Sequence, residues 1–178
     1  MFSKDSTISK LILLHVLEKM EIPVTESTIL DICTSRNDWI NYMECKEIIY
    51  ELIQANLIYK TDGKEREQKY NITYDGRDCL SHFYHRIPNK LYEEITEYVK
   101  ENRSHYKRCQ EYLSDYKKNN DGSYTVYLKI QQPIVDTPLY ELKIISPTRK
   151  GAIEACKKWT DLASSIYEYT FENLIDES

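Results

Sequence analysis

Residues 57–74 carry the feature that most restricts the fold. "LIYK" and "KYNIT" are short and β-prone, and the eight residues between them, "TDGKEREQ", hold an Asp-Gly turn signal at Asp62 and Gly63. The spacing predicts a hairpin with a charged tip. Helical patterns stand before and after it. Residues 3–20 place Ile8, Leu11, Ile12, Val16 and Leu17 near the three-and-four spacing of an amphipathic helix, and Pro23 is the expected stop. Thr25 or Ser27 can cap a second short helix carrying Ile29, Leu30, Ile32 and Cys33. After the polar turn "TSRND", a third helix is expected from Tyr42 to Asn56, with Cys45, Ile49, Leu52 and Ile53 on its buried face. Thr73 then caps a fourth helix in "YDGRDCLSHFYH", with Cys79, Leu80 and Phe83 pointing inward.

Beyond Pro88 a linking helix is expected over 88–102, with Leu91, Ile95, Tyr98 and Val99 inside and Glu93, Glu94, Glu97 and Glu101 outside. The periodicity then changes from helical to alternating. "YKRCQEYLSDYKK" alternates, "SYTVYLKIQQ" sets Val126, Leu128 and Ile130 on one side, and "TPLYELKII" does the same for Tyr140, Leu142 and Ile144. "NNDGS" reads as a turn between the first two, and Pro133 and Pro138 bracket the second connection. These are three strands of an antiparallel meander. From Pro147 to about Leu174 a long helix carries Ala152, Cys156, Trp159, Ala163 and Ile166 on one side, ready to cover one sheet face. Tyr112, Tyr116 and Tyr127 are expected on the other face.

Three helices followed by a two-stranded finger, with "ANLI" entering the first strand and "YNITYDGRDCL" leaving the second, resemble the winged helix-turn-helix of bacterial transcriptional regulators. Tyr70, Ile72, Thr73, Gly76 and Leu80 resemble the wing exit of many such proteins. With "KLILLHVLEKMEIPVT" at the front, the whole chain resembles an uncharacterised clostridial-type winged-helix family, a domain of unknown function with a small second domain. The resemblance implies an α+β chain: a winged helix-turn-helix over 1–87, a linking helix over 88–104 and a β-β-β-α domain over 105–178. It implies no established activity.

Composition narrows the function. Among 178 residues, 24 cations against 29 carboxylates give a net charge of −5, which excludes the uniformly basic surface of a nucleic-acid coat protein. Any DNA contact must be local. No apolar run is long enough to span a bilayer, and "LILLHVL" lacks a small-residue cleavage site, so a cytoplasmic protein without membrane partners is expected. Five cysteines without a CxxC pair argue against both disulfides and a zinc knuckle. Cys79, His82 and His85 recur every three residues on one predicted helix and fan across its surface, so no metal site is expected. Glycine-rich phosphate loops are missing, and no nucleophile, base and orienting group stand at matching spacings. Neither an enzyme nor a cofactor is expected.

The candidate partner is double-stranded DNA. In a winged helix the third helix enters the major groove and the wing flanks the backbone. The expected DNA-facing residues are Lys46, Glu47 and Tyr50 on that helix, Lys60, Lys64, Arg66 and Lys69 on the wing, and Thr25 and Ser27 at the start of the second helix, where amide groups attract phosphate. Glu44, Glu51 and Gln54 share the third helix's outer face, and Asp62, Glu65 and Glu67 nearly balance the wing cations. The alternative is a winged helix used for protein contact without DNA. For the second domain, homodimerisation or sensing of an unidentified effector is expected, because two recognition helices one duplex turn apart multiply weak affinity.

Overall fold

In the computed structural model of the chain, residues 6–61, 68–132, 135 and 137–175 are described. The chain divides into two compact units, Met1–Ser104 and His105–Ser178. Among the described residues six α-helices and two three-stranded antiparallel sheets make a mixed α/β protein.

The first unit opens with α1 (Ser6–Met20), whose buried residues run nearly without interruption from Leu11 to Leu17. A helix apolar on so many sides lies inside the unit. It ends at Met20, before the expected Pro23, because Glu21 adopts a left-handed φ of 60°. Two residues then form β1 (Val24–Thr25), a strand too short to be seen in the sequence. Thr25 also caps α2 (Glu26–Leu30) by accepting the Thr28 N–H at 3.2 Å. The polar "TSRND" is not all turn, since a π-helical segment continues from Asp31 to Arg36. Thr34 donates back to the Leu30 carbonyl at 2.7 Å and Asn37 caps Ile32 at 2.8 Å.

Asn41 caps α3 (Tyr42–Gln54), which buries Cys45, Ile48, Ile49 and Leu52. Asn56 takes a left-handed φ of 56° at its end. The hairpin follows as β2 (Ile58–Lys60) and β3 (Lys69–Ile72), paired from Ile58 opposite Ile72 to Lys60 opposite Tyr70. β1 joins the other side of β3, giving the order β1-β3-β2. Thr73 caps α4 (Tyr74–Phe83), and its hydroxyl donates to the Asn56 carbonyl at 2.7 Å. Gly76 is needed here because a Cβ would collide with the Leu57 carbonyl. Phe83, expected inside, is exposed at the end of α4.

α5 (Asn89–Glu111) runs nine residues past the expected 102. Tyr106, one heptad beyond buried Val99, continues the helical stripe through a stretch whose polarity alternates. Cys109, read as a strand residue, is therefore exposed on a helix, 3.6 Å from His105 Nε2.

The second unit is the meander β4 (Tyr112–Lys118), β5 (Tyr124–Ile130), β6 (Tyr140–Ser146), in that spatial order, followed by α6 (Arg149–Leu174). The β4–β5 turn places Gly122 at φ 87°, and Asp121 accepts from both the amide and the hydroxyl of Ser123. Val126, Leu128, Ile130, Ala152, Trp159 and Ala163 form the core between sheet and helix. Tyr112 pairs with Ile130 and Tyr116 with Val126, so both tyrosines share the covered face and pack on that core. This corrects their expected placement on the open face. Tyr127 lies on the open face, with Lys143 5.6 Å from its ring centre.

Candidate functional site

α3 and the hairpin are adjacent because Leu57 links them directly: its N–H donates to Leu52 at 2.9 Å and its carbonyl accepts from Thr73 at 3.0 Å. The outer face of α3 presents Glu47, Tyr50 and Gln54 to solvent, with Tyr42 and Met43 exposed in its first turn. Tyr50 is 65% exposed, so this aromatic side chain is available for contact.

Lys46 is less available. Its Nζ lies 2.9 Å from Glu26 Oε1, and this bond, together with the Glu26 charge, raises the lysine pKa. Tyr70 of β3 also hydrogen-bonds Glu26, while burial, the larger influence, raises the phenol pKa. One carboxylate therefore connects α2, α3 and the hairpin. Glu26 escaped the sequence reading because its partners lie 20 and 44 positions away, with no local pattern to mark them. Glu51 is likewise engaged, by Lys10 of α1 at 2.7 Å.

Thr25 and Ser27 bond each other through their hydroxyls at 2.8 Å, and Thr28 joins Thr25 at 3.0 Å. Glu26 sits in the first turn of α2, where a carboxylate already meets the positive end of the helix. Lys60 is exposed, whereas Lys69 is half-buried with its backbone tied to Thr61 at 2.8 and 3.1 Å. Lys64 and Arg66, the expected wing-tip cations, lie outside the described residues. The structure thus gathers Lys46, Glu47, Tyr50, Lys60 and Lys69 around α3 and its hairpin.

The remaining polar groups suit structural work. His15 is buried, stacks on Tyr92 at 4.1 Å and lies 2.9 Å from Thr96 Oγ1. Because the Thr96 hydroxyl donates to the Tyr92 carbonyl at 2.8 Å, the imidazole Nε2–H is the donor. Burial first, and Lys19 second, lower the His15 pKa to about 4. Cys33 and Cys45 are buried side by side, and the contact and the burial raise the Cys33 thiol well above its ordinary range. Of the candidate metal residues, Cys79 is half-buried and His82 and His85 are exposed. Among the described residues no three metal-ligating side chains cluster, and no helix is long and apolar enough to cross a membrane. In the second unit a cavity of about 330 Å³ is lined by Glu111, Tyr112, Leu139, Ser164, Tyr167 and Glu168, among others.

The family model described as Domain of unknown function (DUF4364) matches residues 9–174. The chain belongs to that family. The DUF4364 match runs from α1 to the last residue of α6, so the family pattern includes both units. No curated protein and no solved structure matches the chain.

Proposed function

We propose that the first unit is a winged helix-turn-helix that contacts duplex DNA, making the chain a transcriptional regulator whose second unit dimerises or senses an effector. The order helix, strand, helix, helix, hairpin, with β1 completing the sheet as β1-β3-β2, carries this reading. α3 is the groove-entering helix and the hairpin is the wing. Lys60, Lys64, Arg66 and Lys69 hold phosphates and fix orientation; Glu47 and Tyr50 face the bases. Lys46 stays with Glu26 and adds little. The cavity bounded by Glu111 and Glu168 is the candidate effector site. Replacing the four wing cations with alanine weakens duplex binding and reduces the slope of log affinity against log salt by roughly 3 to 4. Fluorescence anisotropy on labelled duplex measures it, and an unchanged slope removes the wing from the interface.

A second reading, protein contact without DNA, is favoured by the acidic and aromatic character of α3, where Glu47 accompanies exposed Tyr42, Met43 and Tyr50. Glu47→Lys separates the two. It tightens duplex binding if α3 meets phosphate-rich DNA and leaves the duplex unbound, as for the parent, if α3 serves a protein.

A further inference from the structure

β6 is an edge strand whose outer side is unfinished. Successive residues of an antiparallel strand turn their N–H and C=O groups to alternate sides. Gln131 donates to the Glu111 carbonyl at 2.7 Å and Asn119 to the Ser123 carbonyl at 2.8 Å, so odd-numbered residues carry the β4–β5 ladder and the even-numbered residues of β5 face β6. Across that second ladder Val126 stands opposite Ile144, Leu128 opposite Leu142 and Ile130 opposite Tyr140. Tyr140, Leu142 and Ile144 therefore bond to β5, while Glu141, Lys143 and Ile145 direct their N–H and C=O groups outward. Among the described residues nothing bonds to that outer row.

The two edges of the sheet differ. On β4 the Tyr112 hydroxyl lies 2.6 Å from Ser164, the Ser114 hydroxyl lies 3.5 Å from the Cys156 carbonyl and Tyr116 is hydrogen-bonded to Arg149, so α6 engages that edge directly. α6 lies over β4 and β5 more than over β6. Ile144 shares the covered face, since it pairs with Val126, yet it is 43% exposed. Ile145, on the other face, is 61% exposed. β6 lacks cover both beside it and above it.

The charges of the edge restrict what can pair there. A lysine in mid-edge, as at Lys143, ordinarily keeps strands apart. A second β6 laid antiparallel about a two-fold axis sets the outward groups of both strands opposite each other only when the axis passes at a residue and not between two. An axis at Glu141 or at Lys143 puts like charges face to face. An axis at Ile144 puts Lys143 against Ile145 and leaves Glu141 unmatched. At Leu142 both conflicts disappear, because Glu141 of each copy then faces Lys143 of the other, Tyr140 faces Ile144, and Leu142 faces its own counterpart. Both charges are available for this. Glu141 holds Lys129 at 2.9 Å through Oε1, leaving Oε2, and among the described residues Lys143 makes no ion pair.

We propose that a second copy of this chain pairs with β6 along this edge, antiparallel about a two-fold axis at Leu142. The two three-stranded sheets become one, in the order β4-β5-β6-β6-β5-β4, with both α6 helices on the same face. Glu141 and Lys143 exchange about four backbone hydrogen bonds with the second copy, and Tyr140 of that copy lies beside the exposed Ile144. The interface is isologous, as a two-fold requires. It rests on the dimerisation half of the function proposed above and is independent of DNA contact.

Sedimentation equilibrium of the full chain tests it, with circular dichroism to show that each variant stays folded. The parent chain is a dimer. Lys143→Pro removes an N–H that points away from β5, a place where an edge strand tolerates proline, so the fold is retained and the dimer weakens about 30-fold or more. Leu142→Cys, in a chain that also carries Cys109→Ser to remove the exposed thiol, forms a covalent dimer under oxidised glutathione, since facing residues of this kind stand about 4.5 Å apart at Cα. Ile144→Cys in the same background stays uncrosslinked, its counterpart being about 13 Å or more along the sheet. A monomeric parent chain overturns both this edge and the dimerisation reading. A dimer indifferent to Lys143→Pro and uncrosslinked by Leu142→Cys overturns this edge alone and moves the contact elsewhere. Crosslinking of Ile144→Cys in place of Leu142→Cys overturns the register. Duplex titration of the same proteins reports DNA binding separately.

Discussion

The two units use charge and core in opposite ways. In the first, cations join elements far apart in sequence: Lys10 to Glu51, Lys46 to Glu26, Arg77 to Glu18 and Arg103 to Glu21, all within 2.9 Å. Among the described residues, twenty-five apolar side chains of this unit are buried, against seven in the second. In the second, Lys129 and Glu141 pair across neighbouring strands and Lys107 reaches Glu111 one helical turn away, but among the described residues the lysines of α6 have no such partners. The first unit satisfies its surface internally around a deep core. The second is one sheet and one helix, with its net charges directed outward, and small two-layer units of this kind bury less of their surface and gain most from a partner.

The largest test of that contrast is Trp159→Ala. Trp159 is 1% exposed, stacks on Tyr140 and anchors α6 to β5. Its loss costs about 3–5 kcal/mol. With so few other buried residues in the second unit, this change removes amide protection there while the first unit retains it in hydrogen-exchange measurements; simultaneous loss in both units would break the comparison.

His15 tests the depth of the first core. Its pKa is lowered in the folded chain, so the unfolded chain takes up the proton first as pH falls. Stability is whole above about 6.5 and declines toward about 4, by no more than about 3 kcal/mol. Urea midpoints measured across that range follow the decline, and His15→Gln flattens it. A parent chain whose midpoint is constant from 6.5 to 4 would show the imidazole to be hydrated.

Gly76→Ala is expected to cost about 1–3 kcal/mol, since the added methyl meets backbone at Leu57, which cannot move without shifting the hairpin. Thermal unfolding measures it, and a neutral outcome would mean that the α3–hairpin–α4 junction is loose. The smallest effect is at Glu18→Gln, which breaks the partly exposed Arg77 pair at 2.8 Å and costs less than about 1 kcal/mol, fading with added salt. A larger, salt-insensitive loss would sharpen the comparison by showing that these cross-element pairs behave as buried ones.

Much of the local structure was legible. Thr25, Thr73 and Asn56 were readable as caps because capping is a property of one residue and its near neighbours. α3, α6 and the hairpin followed from apolar spacing. β1 was not legible, because two residues become a strand only by pairing with β3. The end of α5 was hidden by alternating polarity over 106–118, which fits a strand as well as a helix until Tyr106 is seen to be buried. Around α3 the residue identities were evident, but whether Lys46 was available depended on Glu26, brought to it by folding.

The sequence by itself determined the periodicity, and through it which segments are helices, which are strands and where most of them begin. Those properties depend on neighbours a few positions apart. Tertiary structure decided which face of each element is covered. Alternation placed Tyr112 and Tyr116 together and apart from Leu113, but only the register with Ile130 and Val126 turned them toward α6. A one-residue shift in pairing exchanges the two faces of a strand, and pairing is a contact between segments distant in the chain.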